Sequence, residues 1–306
     1  MTPATRPSAA ISLAARGRLV RFPRRPLVMG IVNINDDSFC GDGTLDPSAA
    51  LQQAVAMAMA GADIIDAGAE SARTNRSAIS PQEECDRFLP FMRAYAAWAE
   101  SVADTPPPVP EQLWPPLLSL NTWRPEVVAA ILPEGGDILN DMSALPDDRN
   151  ARLCAAHGAA LLIMHSVGLP KEKHTHVVWP DIMAELVRFF SDRMAAATAA
   201  GLPRNAIILD PGIDFAKQQE DNLTILRDCD RLAGLARPIL LPVSRKTVIG
   251  QTLGIAKPTE RDAGTIACLT AGFLRGAHIF RVHNVPAAVA ALRTLSGVLP
   301  AAPLPS

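Results

Sequence analysis

The chain is short of aromatics, paired cysteines, net charge and long apolar runs, and each shortage excludes something. Aromatic residues are 5% of 306 residues, with a single tyrosine, so the core must come from Leu, Ile, Val, Ala and Met. The five cysteines (Cys40, Cys85, Cys154, Cys229, Cys268) are odd in number, widely spaced and form no C-x-x-C pair. That argues against a disulfide scaffold and reads as reduced thiols in a cytoplasmic protein. A formal charge of −2 gives no electrostatic footprint for nucleic acid. No stretch approaches the ~18 consecutive apolar residues of a membrane span.

What is present is a globular composition, 48% apolar and 20% charged, with material for a large core. No acidic residue precedes Asp36, whereas Arg6, Arg16, Arg18, Arg21, Arg24 and Arg25 do. A transit peptide has that bias; the reading adopted is a frayed extension, residues 1–24, leading into a first strand. Residues 25–297 read as one domain and 298–306 as a loose Pro- and Ala-rich tail.

Strands are expected at Pro26–Asn33, Ala62–Gly68, Leu117–Leu120, Asp137–Asn140, Ala159–Met164, Ala206–Asp210, Pro238–Val243 and Ala277–Arg281. Most are continuous apolar runs, as suits strands covered on both faces. Helical signals separate them. Asp46-Pro47 offers an N-cap with Pro at N1, and Ser80-Pro81-Gln82-Glu83 fits a reciprocal capping box. Ile182, Leu186, Phe189 and Phe190 recur at helical spacing. Thr105–Pro116, with six prolines, reads as a spacer. Eight strands alternating with eight helices predict an α/β fold, a (β/α)8 TIM barrel. An open doubly wound sheet is the alternative, weakened by the lack of G-x-G-x-x-G after the first strand.

Strand after strand ends in polar residues: Asn33; Asp66 running into Glu70, Ser71 and Arg73; Asn121-Thr122; Asn140-Asp141; His165-Ser166; Asp210; Ser244-Arg245-Lys246; Arg281-Val282-His283. One alone is commonly a helix N-cap. Together, in a barrel, they converge on the mouth where barrel enzymes work. Arg73, Arg245, Lys246, Arg281 and His283 would form a cationic rim suited to a phosphate ester. Asn33, Asp66, Asn121, Asn140 and Asp210 would line the hole, with donor and acceptor groups suited to a flat heterocycle.

In that order the motifs resemble the dihydropteroate synthase family of pterin-binding barrels. The residues that carry the resemblance are Met29–Phe39, Gly61–Arg73, Leu139-Asn140-Asp141, Met164-His165, Asp210-Pro211-Gly212-Ile213 with Phe215 and Lys217, Ser244-Arg245-Lys246, and Arg281-Val282-His283. The match covers about residues 25 to 290. The resemblance implies a transferase of folate biosynthesis. Such an enzyme joins 6-hydroxymethyl-7,8-dihydropterin diphosphate to p-aminobenzoate or a related arylamine, releasing diphosphate with Mg2+. It implies Asn33 as the metal ligand. It implies Asp42, Lys246, Arg281 and His283 as catalytic, with Phe39 and Asp42 on a closing first loop. Asp66, Ala72, Arg73, Asn121, Asn140, Asp210, Phe215 and Thr247 join them in substrate binding. Thr247, at an expected helix N-terminus, would receive the p-aminobenzoate carboxylate. A homodimer is implied as well.

The sequence also departs from the family pattern. The third strand reads Ser119-Leu120-Asn121-Thr122, with Asn121 where the family has Asp. A lost charge contact there would cost about 1–3 kcal/mol, ten- to a hundredfold in rate. Ser71-Ala72-Arg73-Thr74-Asn75 replaces Ser-Thr-Arg-Pro-Gly, Asn35-Asp36 replaces Thr-Pro, Asp214 and Ala216 replace glycines, and Asn284 replaces Asp. These changes cluster around the second substrate and imply altered arylamine selectivity and reduced sulfonamide sensitivity. The alternatives are a methyltetrahydrofolate-binding methyltransferase-type barrel, against which the cations argue, and a non-catalytic paralogue. His174-Thr175-His176 reads as a surface loop, His157 and His278 as structural, and His165 as either a substrate contact or filler of the mouth.

Overall fold

Strands rich in Leu, Ile, Val and Ala, buried on both faces, need helices on one side and a filled interior on the other. The computed structural model describes residues 11–22, 24–35, 41, 43–71, 77–168, 170–172 and 177–299. Phe39, Cys40, Asp42, Ala72, Arg73, Thr74, Asn75 and His174-Thr175-His176 lie outside the described residues. In chain order the elements begin with β1 (Ser12–Ala15), β2 (Arg18–Arg21), β3 (Leu27–Asn33), α1 (Pro47–Met59), β4 (Ile64–Gly68), α2 (Pro81–Val102), β5 (Leu117–Asn121) and α3 (Pro125–Ile131). Next come β6 (Ile138–Asp141), α4 (Arg149–His157), β7 (Ala160–Met164), α5 (Ile182–Ala199), β8 (Ile207–Asp210) and α6 (Gln219–Arg227). The last are β9 (Leu240–Leu241), α7 (Thr247–Leu253), α8 (Asp262–Leu274), β10 (Ile279–Val282) and α9 (Val285–Val298).

Strands β3 to β10 form one parallel sheet in the order β8-β7-β6-β5-β4-β3-β10-β9. A parallel bridge, Leu209 to Ile239, joins its ends, so the eight strands close as the expected (β/α)8 barrel. β9 is the weak stave. The Pro238–Val243 run yields only two strand residues, because Pro238 and Pro242 have no N–H for the ladder. Among the described residues the helical layer holds one more helix than expected, since α7 and α8 both lie between β9 and β10.

The helix starts follow their signals. Asp46 accepts from the Ser48 N–H at 2.9 Å and Ser80 from the Glu83 N–H at 3.1 Å. The box at Ser80 is half made, because the Glu83 carboxylate turns to Arg87 at 2.6 Å.

The extension departs from its frayed reading. From Ser12 to Arg21 it is an antiparallel hairpin, Leu13 opposite Val20, turning through Arg16 and Gly17 at φ +39° and +79°. Alternation decides this: Leu13, Ala15 and Val20 face inward and join Phe22, Leu27, Met29, Ile64, Leu117, Ile138, Leu162, Ile208, Leu240 and Ile279 in a core inside the barrel. The hairpin thus plugs the end of the barrel at which the strands begin. Arg16 reinforces it by donating to the Gly136 and Leu132 carbonyls at 2.7 Å each. Leu13→Ala is expected to cost about 3 kcal/mol, read as a lower denaturation midpoint, with no change in the chemistry at the other end. A second core lies between sheet and helices. Among the described residues no helix is long and apolar enough to cross a membrane.

Candidate active site

A strand's side chains alternate, so residues two apart share a face. The inward faces here change character along the strands. Ile64 is followed by Asp66, Leu117 by Ser119 and Asn121, Ile138 by Asn140, Ile208 by Asp210, and Ile279 by Arg281. The apolar member of each series lies in the interior core; the polar member stands above it at the carboxyl ends of the strands. The outward neighbours do structural work. Asp141 accepts from the Ser143 N–H at 2.8 Å and from Asn150 Nδ2 at 2.8 Å, which ties β6 to α4. Arg245 pairs with Asp262 on α8 at 2.7 Å, so this member of the expected cationic rim has a structural partner. Asn284 caps α9 by accepting from the Ala287 N–H at 3.1 Å.

The centre of the polar layer is Asp66, fully buried. Its Oδ1 accepts from Ser119 Oγ at 2.6 Å and Asn140 Nδ2 at 3.1 Å. Its Oδ2 accepts from Arg281 Nε at 2.7 Å and Asn121 Nδ2 at 3.4 Å. One carboxylate therefore joins β4, β5, β6 and β10. Asn121 Oδ1 is buried with no hydrogen-bond partner. A buried orphan acceptor at the mouth of a barrel is an unfilled demand for a donor.

Asp210 is also buried; its Oδ1 accepts from the Gly212 N–H at 2.7 Å. Burial pushes its carboxyl up to about 6, against the Gly212 hydrogen bond and the charges of Lys246, Lys217 and Arg281. Lys246 Nζ donates to the Ile213 carbonyl at 2.9 Å and lies 4.9 Å from the Phe215 ring centroid, a cation–π contact. Burial draws its ammonium below the usual lysine range, partly offset by Asp214 and Asp210. Phe215 packs on the interior core. His283 Nδ1 meets Ser244 Oγ at 2.8 Å. Asn33 ends β3 at the same face of the barrel, and Thr247 opens α7.

His165 is filler of the mouth wall. It is buried, edge-on to Phe189 and Trp179 with centroids 4.7 and 5.4 Å away. Its Nδ1 faces Lys217 Nζ at 2.8 Å. Burial, then Lys217, pull the imidazole down to about 2, so it is neutral and its Nδ1 accepts. Lys217 also donates to the Phe215 carbonyl at 2.9 Å, and burial brings its ammonium down to about 7. His278 accepts from the Ile239 N–H at 3.2 Å and is edge-on to Phe22, a structural role.

The fold gives three further groups partners that the sequence does not announce. Ser119 lies two residues before Asn121, and strand alternation alone was the signal for it. Lys217 was visible only as part of a motif. Glu70, a strand-end residue in the sequence, gains its partners only from the fold. It binds Lys171 Nζ at 2.6 Å, the Ile79 N–H at 3.2 Å and Arg124, which also binds Glu84. Burial alone would raise the Glu70 carboxyl, but hydrogen bonds from Arg124 and Lys171 outweigh it and hold it below the usual range. These partners come from three loops, a separation that local patterning does not reveal. With Lys171 also donating to the Ser77 carbonyl at 3.2 Å, the cluster braces the second loop at both described ends.

The model of the pterin binding enzyme family matches residues 29–283. The dihydropteroate synthase of Escherichia coli strain K12 is 34% identical over 277 residues, covering 90% of this chain and 93% of that protein. The structure of Xanthomonas albilineans dihydropteroate synthase with 4-aminobenzoic acid superposes with a TM-score of 0.81 at 31% identity, covering 95% of this chain and 100% of the other. The same enzyme in complex with 7,8-dihydropteroate gives 0.77 at 30% identity, covering 94% and 99%. With the barrel, the polar layer around Asp66 and these likenesses in hand, the chain belongs to the dihydropteroate synthase family of pterin-binding enzymes.

Proposed function

We propose that this chain is a folate-pathway transferase that condenses 6-hydroxymethyl-7,8-dihydropterin diphosphate with an arylamine of the p-aminobenzoate type, releasing diphosphate. The observation that carries the reading is the junction at Asp66, which holds Asn121, Asn140 and Arg281 around one cavity mouth in a member of this family. Asp210, ionised near neutrality, accepts from the amide and amino N–H groups of the pterin. Asn140 and Lys246 serve other polar atoms of the ring, Asn121 Oδ1 accepts from a ring donor, and Phe215 packs alongside. Arg281 and His283 face the diphosphate; from outside the described residues, Arg73 is assigned to the same work and Asp42 to the first loop that covers the site.

The C–O bond to diphosphate breaks with its electron pair leaving on oxygen. Guanidinium and imidazole groups stabilise that developing charge. The arylamine lone pair forms the new C–N bond, and its proton passes to solvent. An aniline nitrogen is neutral at pH 7, so it needs positioning more than a strong base. Thr247 is assigned to the arylamine side and Ala72 to the slot wall.

Among the described residues there is no group of three His, Cys, Asp or Glu side chains that could hold a metal, and Asp66 already has its donors. A Mg2+ ion would be held by one neutral amide, Asn33 at the end of β3, with the rest of its shell from diphosphate and water. When bound, it would supply charge neutralisation at the leaving group. The homodimer and the cytoplasmic setting belong to the same proposal.

A diphosphate-release assay with pterin diphosphate over a small arylamine panel tests the reading: amine-dependent release supports it, and pterin binding without release refutes it. Asn121→Asp gives a companion result. It restores the carboxylate that the family has at this position, and the variant is expected to turn over about tenfold faster than the native chain at pH 7.5. An unchanged or lowered rate counts against a role for the missing charge.

A further inference from the structure

Two residues in the loop between β8 and α6 have backbones suited to glycine. Asp214 and Ala216 sit at φ +69° and +51°, angles that strain a residue bearing a side chain. At Asp214 the side chain has a definite use. Its Oδ2 accepts from the Thr247 N–H and its Oδ1 from the Val248 N–H at 3.2 Å. Asn222 fixes it from behind: the Asp214 N–H donates to Asn222 Oδ1 at 2.8 Å, and Asn222 Nδ2 returns to Asp214 Oδ1 at 3.4 Å. The carboxylate therefore spans the gap between the loops after β8 and β9. Phe215 is its chain neighbour, and Lys246 is near enough for Asp214 to hold up its ammonium. The amides of Thr247 and Val248, the fixed groups on this rim that would welcome a substrate anion, are already taken by an anion of the protein's own.

We infer that Asp214 determines the choice of second substrate: the site takes an arylamine whose para substituent is uncharged and disfavours p-aminobenzoate itself. The inference rests on the transferase reading above. In that reading the pterin lies against Asp210 and Asn140, and the diphosphate is drawn toward Arg281 and His283. The amine nitrogen must reach the carbon that diphosphate leaves, and the inference seats its ring along Phe215, Lys246 and Thr247, beside the Asp210 side of the mouth. The para substituent of the ring then projects toward Asp214. A carboxylate there meets a like charge in a half-buried setting and finds the backbone donors occupied. An ester, amide or hydroxyalkyl group meets neither obstacle. Lys246 lies on the same rim, but one ammonium shared between Asp214 and a substrate carboxylate leaves the group net anionic.

The test measures kcat/KM by diphosphate release with 4-aminobenzoate, methyl 4-aminobenzoate and 4-aminobenzamide, for the native chain and for Asp214→Asn. Asparagine keeps an acceptor for the Thr247 N–H and removes the charge. The native chain is expected to prefer the neutral amines at least tenfold, and Asp214→Asn to shift that ratio at least tenfold toward 4-aminobenzoate. Asp214→Gly, which also relieves the backbone, should shift it in the same direction. A native preference for 4-aminobenzoate, or a ratio that does not move in Asp214→Asn, overturns the inference while leaving the transferase reading intact. If no amine supports release, the transferase reading fails and the inference fails with it. Should both variants fail to fold, the native panel decides alone.

Discussion

Asp66→Asn is expected to lower kcat/KM at least a thousandfold and to destabilise the fold by roughly 3 kcal/mol. The variant changes one atom type, but it leaves the Arg281 Nε donor, now 2.7 Å from a carboxylate oxygen, beside a neutral amide. It also sets an NH2 group against donors from Ser119, Asn121 and Asn140. Breaking a buried pair by neutralising one partner strands the other, which is why the cost exceeds that of a surface ion pair. The kinetic loss is larger because three substrate-facing groups lose their common anchor at once, and a misplaced donor can cost a hundredfold by itself. Steady-state kinetics with a denaturant melt read both effects. Non-additivity of Asp66→Asn with Arg281→Ala should follow, since each removes the same interaction. Additive losses would mean that the two side chains act separately.

Asp210→Asn is expected to move activity and stability in opposite directions. Its carboxyl sits at about 6 in the folded chain, above the roughly 3.9 of an unfolded aspartate. The folded state therefore holds the proton more tightly. Stability falls as pH rises from about 4 to about 6, and above that the full penalty, about 2–3 kcal/mol, persists. Asparagine removes the ionisation. At pH 7.5 the variant should melt a few degrees higher than the native chain, and the difference should close toward pH 4. Turnover should fall at least a hundredfold, because an amide cannot accept the paired pterin N–H groups as an ionised carboxylate does. In the native chain the same ionisation should raise KM for the pterin substrate about tenfold per pH unit below 6. A pH-independent KM between 5 and 7, or a lower melting temperature in the variant, would refute this role. The penalty is an example of stability given up where function needs a buried charge.

Both predictions depend on features the sequence exposes unequally. The eight barrel strands lay open to inspection because each is a short apolar run bounded by helix signals, and polar strand ends pointed to the mouth. Within a strand, period-two alternation separates Asn140, which faces the cavity, from Asp141, which holds α4. Applied to β5, the same rule would have added Ser119. Arg245 shows where such reading stops: on an irregular loop at φ +58° no periodicity indicates that its side chain turns to Asp262. The hairpin at Ser12–Arg21 was obscured by its arginines, because its inward alternation has meaning only against a barrel interior that needs closing.

By itself, then, the order of residues determined the barrel, its strands and the polar character of its mouth, since all three follow from local periodicity and from what each strand must bury. Tertiary structure alone decided which polar groups meet. Asp66 and Arg281 stand 215 residues apart along the chain, yet they lie on β4 and β10, which flank β3 in the sheet. Asp214 and Thr247 stand 33 apart and meet over the seam of β8 and β9 where the sheet closes. Strand order and closure bring distant charges within hydrogen-bond reach in a setting of low polarity, where the choice of partner sets both pKa and role.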